Sequence, residues 1–296
     1  MGLMFHQGII ILNAYVAYPG LLHLAKRLQM EAENEGLHLA IKTNAEIFAF
    51  VQKSGTLFNE TIPADFIIYL DKDPYIAQML EMNGYRLFNH GESIRLCDDK
   101  MLTYLSLLDK GIKMPKTISA PLCYGNEENL SFIRHLEKEL PFPFVAKTNY
   151  GSQGKGVSLI ESHEQLVKHE MAIAHSPRLY QELIRGEKGS DYRLIVIGGK
   201  LFAAMKRRNT HGDFRSNIAL GGTAETTTPP PSFQQTAEKA AAILKLDYCG
   251  VDILKNENGD PVLCEVNSNA FIDGIEKATK KNVAKAYIDH IIHEVY

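Results

Sequence analysis

The sequence of 296 residues contains no tryptophan, only four cysteines, and no long run of apolar residues or of charges of one sign. The cysteines, Cys97, Cys123, Cys249 and Cys264, form no C-x-x-C pair, which argues against a zinc site and against a disulfide framework. This use of cysteine fits a reducing compartment, and we expect a cytoplasmic protein.

Charge and hydropathy exclude two further classes of protein. Lysine and arginine number 32 and aspartate and glutamate 35, which gives a net charge of −3 without a concentrated basic segment. Nucleic acid is therefore not an expected partner. No stretch approaches the roughly 18 consecutive apolar residues of a membrane helix, so we expect no membrane association. With 45% apolar and 23% charged residues, the composition is typical of a globular protein. The length of 296 residues predicts about two domains.

The first third of the chain alternates short apolar runs with amphipathic stretches. Strands are predicted at 8–13, 38–43, 64–70 and 85–88, and helices at 19–34 and 74–83. Such alternation favours a small parallel α/β layer. The turn after the first strand lacks the G-x-G-x-x-G of a dinucleotide-binding Rossmann unit.

The rest of the chain divides into a compact α+β segment, up to about residue 177, and a strand-rich last third. Asp98 or Asp99 is predicted to cap a helix at its N-terminus. In the last third, Gly198-Gly199 predicts a two-residue hairpin turn. The segment Ser232-Phe-Gln-Gln235 predicts a capping box at the start of another helix.

Two strand-like runs flank Asn258-Gly259, the dipeptide most typical of a two-residue hairpin turn. With that turn, Asp252 lies opposite Glu265 across the ladder, and Asn267 shares their face. Carboxylates directly opposite each other destabilise a hairpin, whereas a divalent cation between them reverses the effect. A small set of oxygen ligands suits Mg²⁺ held together with substrate phosphates. The alternative, that both acids face solvent, stays open because a longer turn changes the register.

A lysine and three glycines follow another apolar strand, in the segment Lys147-Thr-Asn-Tyr-Gly-Ser-Gln-Gly-Lys-Gly-Val157. The backbone N–H groups of such a flexible loop can cover phosphates. The segment is not a P-loop, because Asn149 stands where the first glycine is needed and Gly156 where Ser or Thr binds magnesium. Taken alone, a glycine-rich segment is more often a simple turn.

Arginines cluster in Lys206-Arg-Arg208 and in Gly212-Asp-Phe-Arg-Ser-Asn217. Guanidinium groups suit bidentate contacts with phosphate or carboxylate, although a charge triplet on its own is usually a solvated face. No Ser/His/Asp set and no H-E-x-x-H motif can be read from the sequence.

Taken in order, these segments resemble the ATP-grasp superfamily, and most closely its RimK-type amino-acid ligases. The resemblance covers roughly the last two thirds of the chain, and the stretch 212–217 is its most type-specific part. Further matching segments are Cys97-Asp-Asp-Lys100, Gln181-Glu-Leu-Ile184, Asp191-Tyr-Arg193, Gly250-Val-Asp-Ile253 and Glu265-Val-Asn267. The resemblance implies an ATP-grasp fold of α/β and α+β class. It divides the chain into a Rossmann-like pre-ATP-grasp α/β domain (1–92), a central domain with a glycine-rich lid (93–177) and a C-terminal domain with a magnesium site (178–296).

The resemblance also implies a role for each matching residue. ATP phosphates would lie beside Lys100 and Lys147 and under the loop that contains Gly151, Ser152, Gln153, Gly154 and Gly156. Gln181, Glu182, Leu183 and Ile184 would read the adenine edge, Asp191 the ribose, and Arg215, Ser216 and Asn217 the terminal phosphate. Asp252, Glu265 and Asn267 would hold Mg²⁺, with Mn²⁺ as the alternative. Arg193 and Arg208 would orient the acyl phosphate and the substrate carboxylate, and together with Arg215 they would be the catalytic arginines.

The implied reaction is the ATP-dependent ligation of a carboxylate to an amine through an acyl phosphate. Glutamate is the expected amine donor, and the carboxylate acceptor is a peptide, a protein tail or a small molecule. Ligases that extend protein tails commonly read E-V-N-A-S-P-G, whereas this chain reads Glu265-Val-Asn-Ser-Asn-Ala-Phe271, which leaves the acceptor undetermined. Two alternatives remain: an ATP-grasp kinase, and a non-catalytic nucleotide-binding partner protein. Assembly into a homo-oligomer also stays open.

Overall fold

The computed structural model describes residues 7–15, 19–52, 55–58, 62–125, 130–209, 213–216 and 221–296. Within these ranges the strands form a four-stranded front sheet, a four-stranded middle sheet, a five-stranded C-terminal sheet and one separate hairpin. None of the described helices is long and apolar enough to span a membrane.

The front sheet is formed by the first strands of the chain. Its elements in chain order are β1 (Gln7–Leu12), α1 (Pro19–Asn34), β2 (His38–Thr43), the separate hairpin β3 (Ala49–Gln52) and β4 (Gly55–Phe58), then β5 (Phe66–Tyr69), α2 (Pro74–Met82) and β6 (Leu87–Phe88). The order across the sheet is β2-β1-β5-β6 and every pairing is parallel, which confirms the predicted parallel α/β layer. The connection after β1 leads to β2 on one side of the sheet, whereas the connection after β5 leads to β6 on the other side. The direction of the connections therefore reverses between β1 and β5. The carboxyl ends of such strands flank the crevice where open α/β sheets bind ligands.

Two short helices, α3 (Gly91–Asp98) and α4 (Lys100–Leu107), connect the front and middle sheets. Asp99 caps α4, because its carboxylate accepts the N–H groups of Met101 and Leu102 at 2.8 and 3.2 Å. One of the two predicted caps is thereby confirmed. This cap places Lys100 at the first position of α4.

The middle sheet contains β7 (Thr117–Ser119), α5 (Leu130–Glu139), β8 (Phe144–Thr148), β9 (Val157–Ile160), α6 (His163–Ile173) and β10 (Arg178–Glu182), with strand order β7-β10-β8-β9. Phe144 and Ala146 belong to the apolar cluster of this unit, so Val145 and Lys147 alternate to the opposite face. The predicted boundary at 177–178 assigned β10 to the last part of the chain, but β10 pairs with β7 and β8. We therefore propose to place the boundary after Glu182.

The C-terminal sheet has the order β13-β12-β11-β14-β15. Its elements are β11 (Ser190–Ile197), β12 (Lys200–Arg208), β13 (Thr223–Thr226), α7 (Pro231–Ile243), β14 (Tyr248–Lys255), β15 (Pro261–Asn267), α8 (Asp273–Thr279) and α9 (Val283–Val295). The Gly198-Gly199 turn is confirmed, with φ of 55° and 74°, the positive values that a type I′ turn requires. The capping box at Ser232 is wrong. Helix α7 begins at Pro231, whose fixed φ suits the first helical position.

The hairpin of β14 and β15 differs from the prediction at its turn and agrees with it further on. Gly259, at φ 85°, donates its N–H to the carbonyl of Asn256, so the turn is longer than two residues and Lys255 pairs with Pro261. A β-bulge at Cys264 then shifts the register by one residue. As a result, Asp252 pairs with Glu265, as predicted.

The front and C-terminal sheets share one apolar cluster, to which Leu24, Phe88, Tyr248 and Tyr287 contribute. Asn89 adds a polar link, because its buried Nδ2 donates to the carbonyls of Tyr248 and Ser268 at 2.8 and 2.9 Å. These contacts fix the position of the front sheet relative to the C-terminal sheet.

Candidate functional site

Two cavities meet beside the C-terminal sheet. The first, of about 400 Å³, lies between the middle and C-terminal sheets. The second, of about 760 Å³, lies between the C-terminal sheet and the carboxyl ends of β1 and β5. Both are lined by Gly151, Ser152, Arg207 and Glu265, so these residues mark the junction of the two cavities.

Strand alternation gathers charged side chains on the face of the C-terminal sheet that borders the cavities. Asp191 pairs with Arg207, Arg193 with Asp252, and Asp252 with Glu265. Residues directly opposite each other in antiparallel strands share a face, so these side chains lie next to one another.

Two arginines hold the Asp252 carboxylate. Arg193 donates Nε and Nη2 to its two oxygens, each at 2.7 Å, and Nη2 of Arg207 lies 3.0 Å from Oδ2. Arg207 also binds Asp191 through two nitrogens, with Nε at 2.7 Å from Oδ1. Burial acts to raise the pKa of Asp252, but Arg193 and Arg207 outweigh it and hold that pKa below its usual value. The carboxylate is therefore ionised, and both guanidinium groups are fixed in position.

Two buried lysines border the first cavity. Nζ of Lys100 donates to the carbonyl of Gly151 at 2.9 Å and lies 3.7 Å from Oε1 of Glu265. Nζ of Lys147 lies 3.8 Å from Sγ of Cys264. Burial lowers the pKa of Lys100 despite the opposing effect of Glu265. Cations at the base of a cavity suit an anionic ligand such as a phosphate chain.

The glycine loop between β8 and β9 forms one wall of the first cavity. Gly151, Gly154 and Gly156 have φ of 125°, 76° and 71°, which is the left-handed region that favours glycine. A Cβ on Gly156 would lie 2.3 Å from Oγ1 of Thr148. Gly151, Ser152 and Gly154 line the first cavity, whereas Gln153 lines the second.

The predicted adenine segment, Gln181 to Ile184, lines the first cavity where β10 ends. The side chain of Gln181 is held by Thr117 at 2.8 Å, and a carboxylate oxygen of Glu182 accepts the N–H of Lys116 at 2.9 Å. Val145 and Leu254 add apolar lining. A polar edge beside apolar walls is an arrangement that suits a heteroaromatic base.

Arg215 and Ser216 also line the first cavity. Arg215 is paired with Asp213 at 2.7 Å, and its Nη1 donates to the carbonyl of Gly154 at 3.1 Å. The segment 213–216 is thereby connected to the glycine loop. Asn217, predicted to lie beside them, is outside the described residues.

Arg208 requires a correction. It is exposed, its Nε lies 3.9 Å from a carboxylate oxygen of Glu225, and it lines neither cavity. Neighbouring residues of a strand point to opposite faces, so Arg207, and not Arg208, faces Asp191 and the cavities. Arg207 also belongs to the segment Arg207-Arg208 that matches the RimK-type ligases, but no role was predicted for it.

The predicted metal ligands Asp252, Glu265 and Asn267 lie in register on β14 and β15, Asn267 pairing with Gly250. Oδ1 of Asn267 is the atom of this amide that can ligate a cation, while its buried Nδ2, which has no hydrogen-bond partner among the described residues, can donate to an acceptor such as a phosphate oxygen. No group of three or more His, Cys, Asp or Glu side chains suited to a metal occurs within the described ranges. Two carboxylates and one amide therefore fit Mg²⁺ that is bound jointly with phosphates better than a metal bound by protein alone.

This chain resembles known proteins in sequence and in fold. The family model of the RimK-like ATP-grasp domain matches residues 97–291. A probable alpha-L-glutamate ligase of Marinomonas sp. (strain MWYL1) is 38% identical over 73% of this chain and 70% of its own length. Human beta-citrylglutamate synthase B is 33% identical over 74% of this chain and 56% of its own. The ATP-grasp ligase PsnB, solved with a variant precursor, Mg and ADP, superposes with a TM-score of 0.74 at 15% identity, over 98% of both chains, which confirms the predicted fold.

Proposed function

The chain belongs to the RimK-like ATP-grasp family of ligases, and we propose that it joins a substrate carboxylate to the amine of an amino acid with conversion of ATP to ADP and phosphate. The observation that carries this proposal is the junction of two cavities at Arg207 and Glu265. Such a junction allows a nucleotide in one cavity to meet a carboxylate in the other.

We assign the nucleotide to the first cavity. The base would contact Gln181, Glu182, Leu183 and Ile184, and the ribose would lie at Asp191. Lys100, Lys147, Arg215, Ser216, Asn217 and the glycine loop would surround the phosphates. Asp252, Glu265 and Asn267 would hold Mg²⁺, with Mn²⁺ as the alternative, and the ion would neutralise charge on the phosphates.

In the first step, a carboxylate oxygen of the substrate would attack the terminal phosphorus of ATP, forming an acyl phosphate and releasing ADP. Arg207 and Arg193 are already held by Asp252, so they can receive negative charge without rearrangement. Phosphoryl transfer depends on positioning and charge neutralisation rather than on a nucleophilic side chain, which agrees with a site rich in cations.

In the second step, the amine would attack the acyl carbon, the C–O bond to phosphate would break, and an amide would form with release of phosphate and a proton. The names of the relatives support glutamate as the amine substrate. The acceptor is a peptide, a protein tail or a small molecule. Phe271 is expected to influence which of these acceptors fits, because it lines the second cavity and packs against Gly20.

The proposal is tested by incubating the protein with Mg-ATP and pairs of carboxylates and amino acids, measuring ADP, phosphate and coupled products by mass spectrometry. We expect ADP formation that requires both substrates together. ADP formation without such dependence would contradict the proposal. A stable phosphorylated hydroxyl product without free phosphate would indicate a kinase.

All four cysteines are free thiols, which supports our proposal that the protein works in the cytoplasm.

A further inference from the structure

Asp71 lies two residues after the end of β5, at the point where the front sheet changes the direction of its connections. Asn13 follows β1 on the other side of this point, and its Nδ2 donates to Oδ1 of Asp71 at 3.0 Å. Both residues line the second cavity. The cavity therefore includes the crevice where open α/β sheets bind ligands.

Asp71 is 5% exposed, and its carboxylate is held by neutral donors. Besides Asn13, the Nδ2 of Asn44 donates to it at 2.7 Å and the N–H of Lys72 at 2.7 Å. Tyr69 lies beside it, and burial together with the charge of Asp71 raises the pKa of Tyr69. The carboxylate is thus fixed in position, but these contacts bring no positive charge to it.

Each of the other acids that line the cavity lies next to a basic side chain. Asp98 is paired with Lys72, Glu265 lies 3.7 Å from Lys100, and Asp273 lies 3.0 Å from the imidazole of His23, which is charged only when protonated. Asp71 has no ion-pair partner within the described part of the chain. A buried carboxylate without a counter-charge is unfavourable unless a ligand supplies one.

We infer that Asp71 binds an ammonium group of a substrate in the second cavity. This inference rests on the proposed function, which supplies the reaction that the substrate undergoes. It adds that the substrate carries an amine, which is recognised at the end of β5. The ammonium belongs either to the attacking amino acid or to a carboxylate substrate that carries a second, free amine.

Binding is tested by calorimetry with Mg-AMPPNP present, which requires no turnover. The probes are the L-amino acids, beginning with L-glutamate, and their N-acetyl derivatives, in which the ammonium is blocked. We expect at least one amino acid to bind and its N-acetyl derivative to bind at least about tenfold more weakly. Acetylation removes the positive charge of the ammonium group, so the buried carboxylate of Asp71 is left without a partner. Equal binding of the two forms, or no binding by any amino acid, would overturn the inference.

Variants locate the effect. Asp71→Asn and Asp71→Ser should weaken binding of the amino acid at least about tenfold and leave the N-acetyl derivative unaffected. Asp289→Asn, on the exposed face of α9, is the matched control and should bind like the unmodified protein. Thermal melting identifies any variant that fails to fold. If the Asp71 variants fail to fold, the inference is decided by comparing the amino acids with their N-acetyl derivatives on the unmodified protein. An Asp71→Asn protein that is folded and binds the amino acid normally would refute the inference.

Trapping with hydroxylamine separates the two sources of the ammonium, because formation of the acyl hydroxamate requires only the carboxylate substrate. A higher KM for the carboxylate in Asp71→Asn places the ammonium on that substrate. A higher KM for the amine alone places it on the attacking amino acid. Binding that depends on Asp71 without ADP formation from any substrate pair would support the ammonium site and contradict the proposed ligase reaction.

Discussion

Arg207 on β12 and Asp252 on β14 are in contact across the intervening strand β11, with 3.0 Å between Nη2 and Oδ2. The same guanidinium binds Asp191 on β11. Arg207 is buried, and it lines both cavities. One side chain therefore connects the proposed ribose residue, the proposed metal site and the substrate cavity.

Arg207→Lys should lower kcat/KM by at least about a hundredfold, because lysine keeps the charge but cannot make the planar bidentate contact. Steady-state ADP release is the measurement. Arg208→Lys, one residue further on the exposed face, is the control and should stay within about twofold, as surface changes usually do. Loss of activity in the control with normal activity in Arg207→Lys would show that the original prediction of Arg208 was right.

Glu265→Gln should increase the Mg²⁺ concentration needed for half-maximal activity by at least about tenfold, because a neutral amide is a weaker ligand for a hard cation. A magnesium titration at saturating nucleotide measures this. Glu294→Gln, an exposed change on α9, should leave the titration unchanged. An unaltered titration in Glu265→Gln would remove this residue from the metal site.

The affinity for ATP should fall at alkaline pH. Burial lowers the pKa of Lys100, so its positive charge is lost at a lower pH than that of an ordinary lysine. We expect the KM for ATP to increase as pH rises, and Lys100→Arg to flatten this increase because guanidinium stays protonated. Lys168→Arg, at an exposed position of α6, should show the same increase of the KM for ATP with pH as the unmodified protein. The same alkaline increase in Lys100→Arg would contradict the assignment.

Gly156→Ala should raise the KM for ATP roughly tenfold, since an added Cβ collides with Thr148 in a backbone region that alanine rarely adopts. Oγ1 of Thr148 is held by its bond to the carbonyl of Tyr150 at 2.6 Å, so it cannot easily move away. Gly199→Ala is a matched control, with φ of 74° and open space around its Cβ. Equal KM values in the two variants would show that the loop does not contact ATP.

Two β-bulges shift the pairing of strands at the site, and they decide which of its residues the sequence predicted correctly. An Asn-Gly turn of two residues predicted the pairing of Asp252 with Glu265, and the real turn is longer. The bulge at Cys264 compensates for the difference, so the pairing is right although the turn is wrong.

The second bulge acts in the opposite sense. The Gly198-Gly199 turn pairs Ile197 with Lys200, and an unbroken ladder would put Arg208 on the face of Asp191. A bulge between Ile195 and Val196, opposite Phe202, shifts the register so that Asp191 pairs with Arg207. Bulges leave no clear mark in a single sequence, because they depend on how the strands pack in the sheet.

Asp71 was not predicted for a related reason. Strand periodicity predicted β5, and the sheet order that places its end beside Asn13 emerges only from tertiary packing. The apolar alternation of the front layer, by contrast, is a local pattern and was sufficient to predict its parallel sheet.

Isotope transfer tests whether an acyl phosphate forms from the substrate carboxylate. A substrate labelled with ¹⁸O in its carboxylate is ligated in the presence of Mg-ATP, and the released phosphate is analysed by mass spectrometry. We expect one ¹⁸O atom in each phosphate, because the attacking oxygen stays on phosphorus when the amide forms. Phosphate free of ¹⁸O, with the amide product still formed, would exclude an acyl phosphate intermediate.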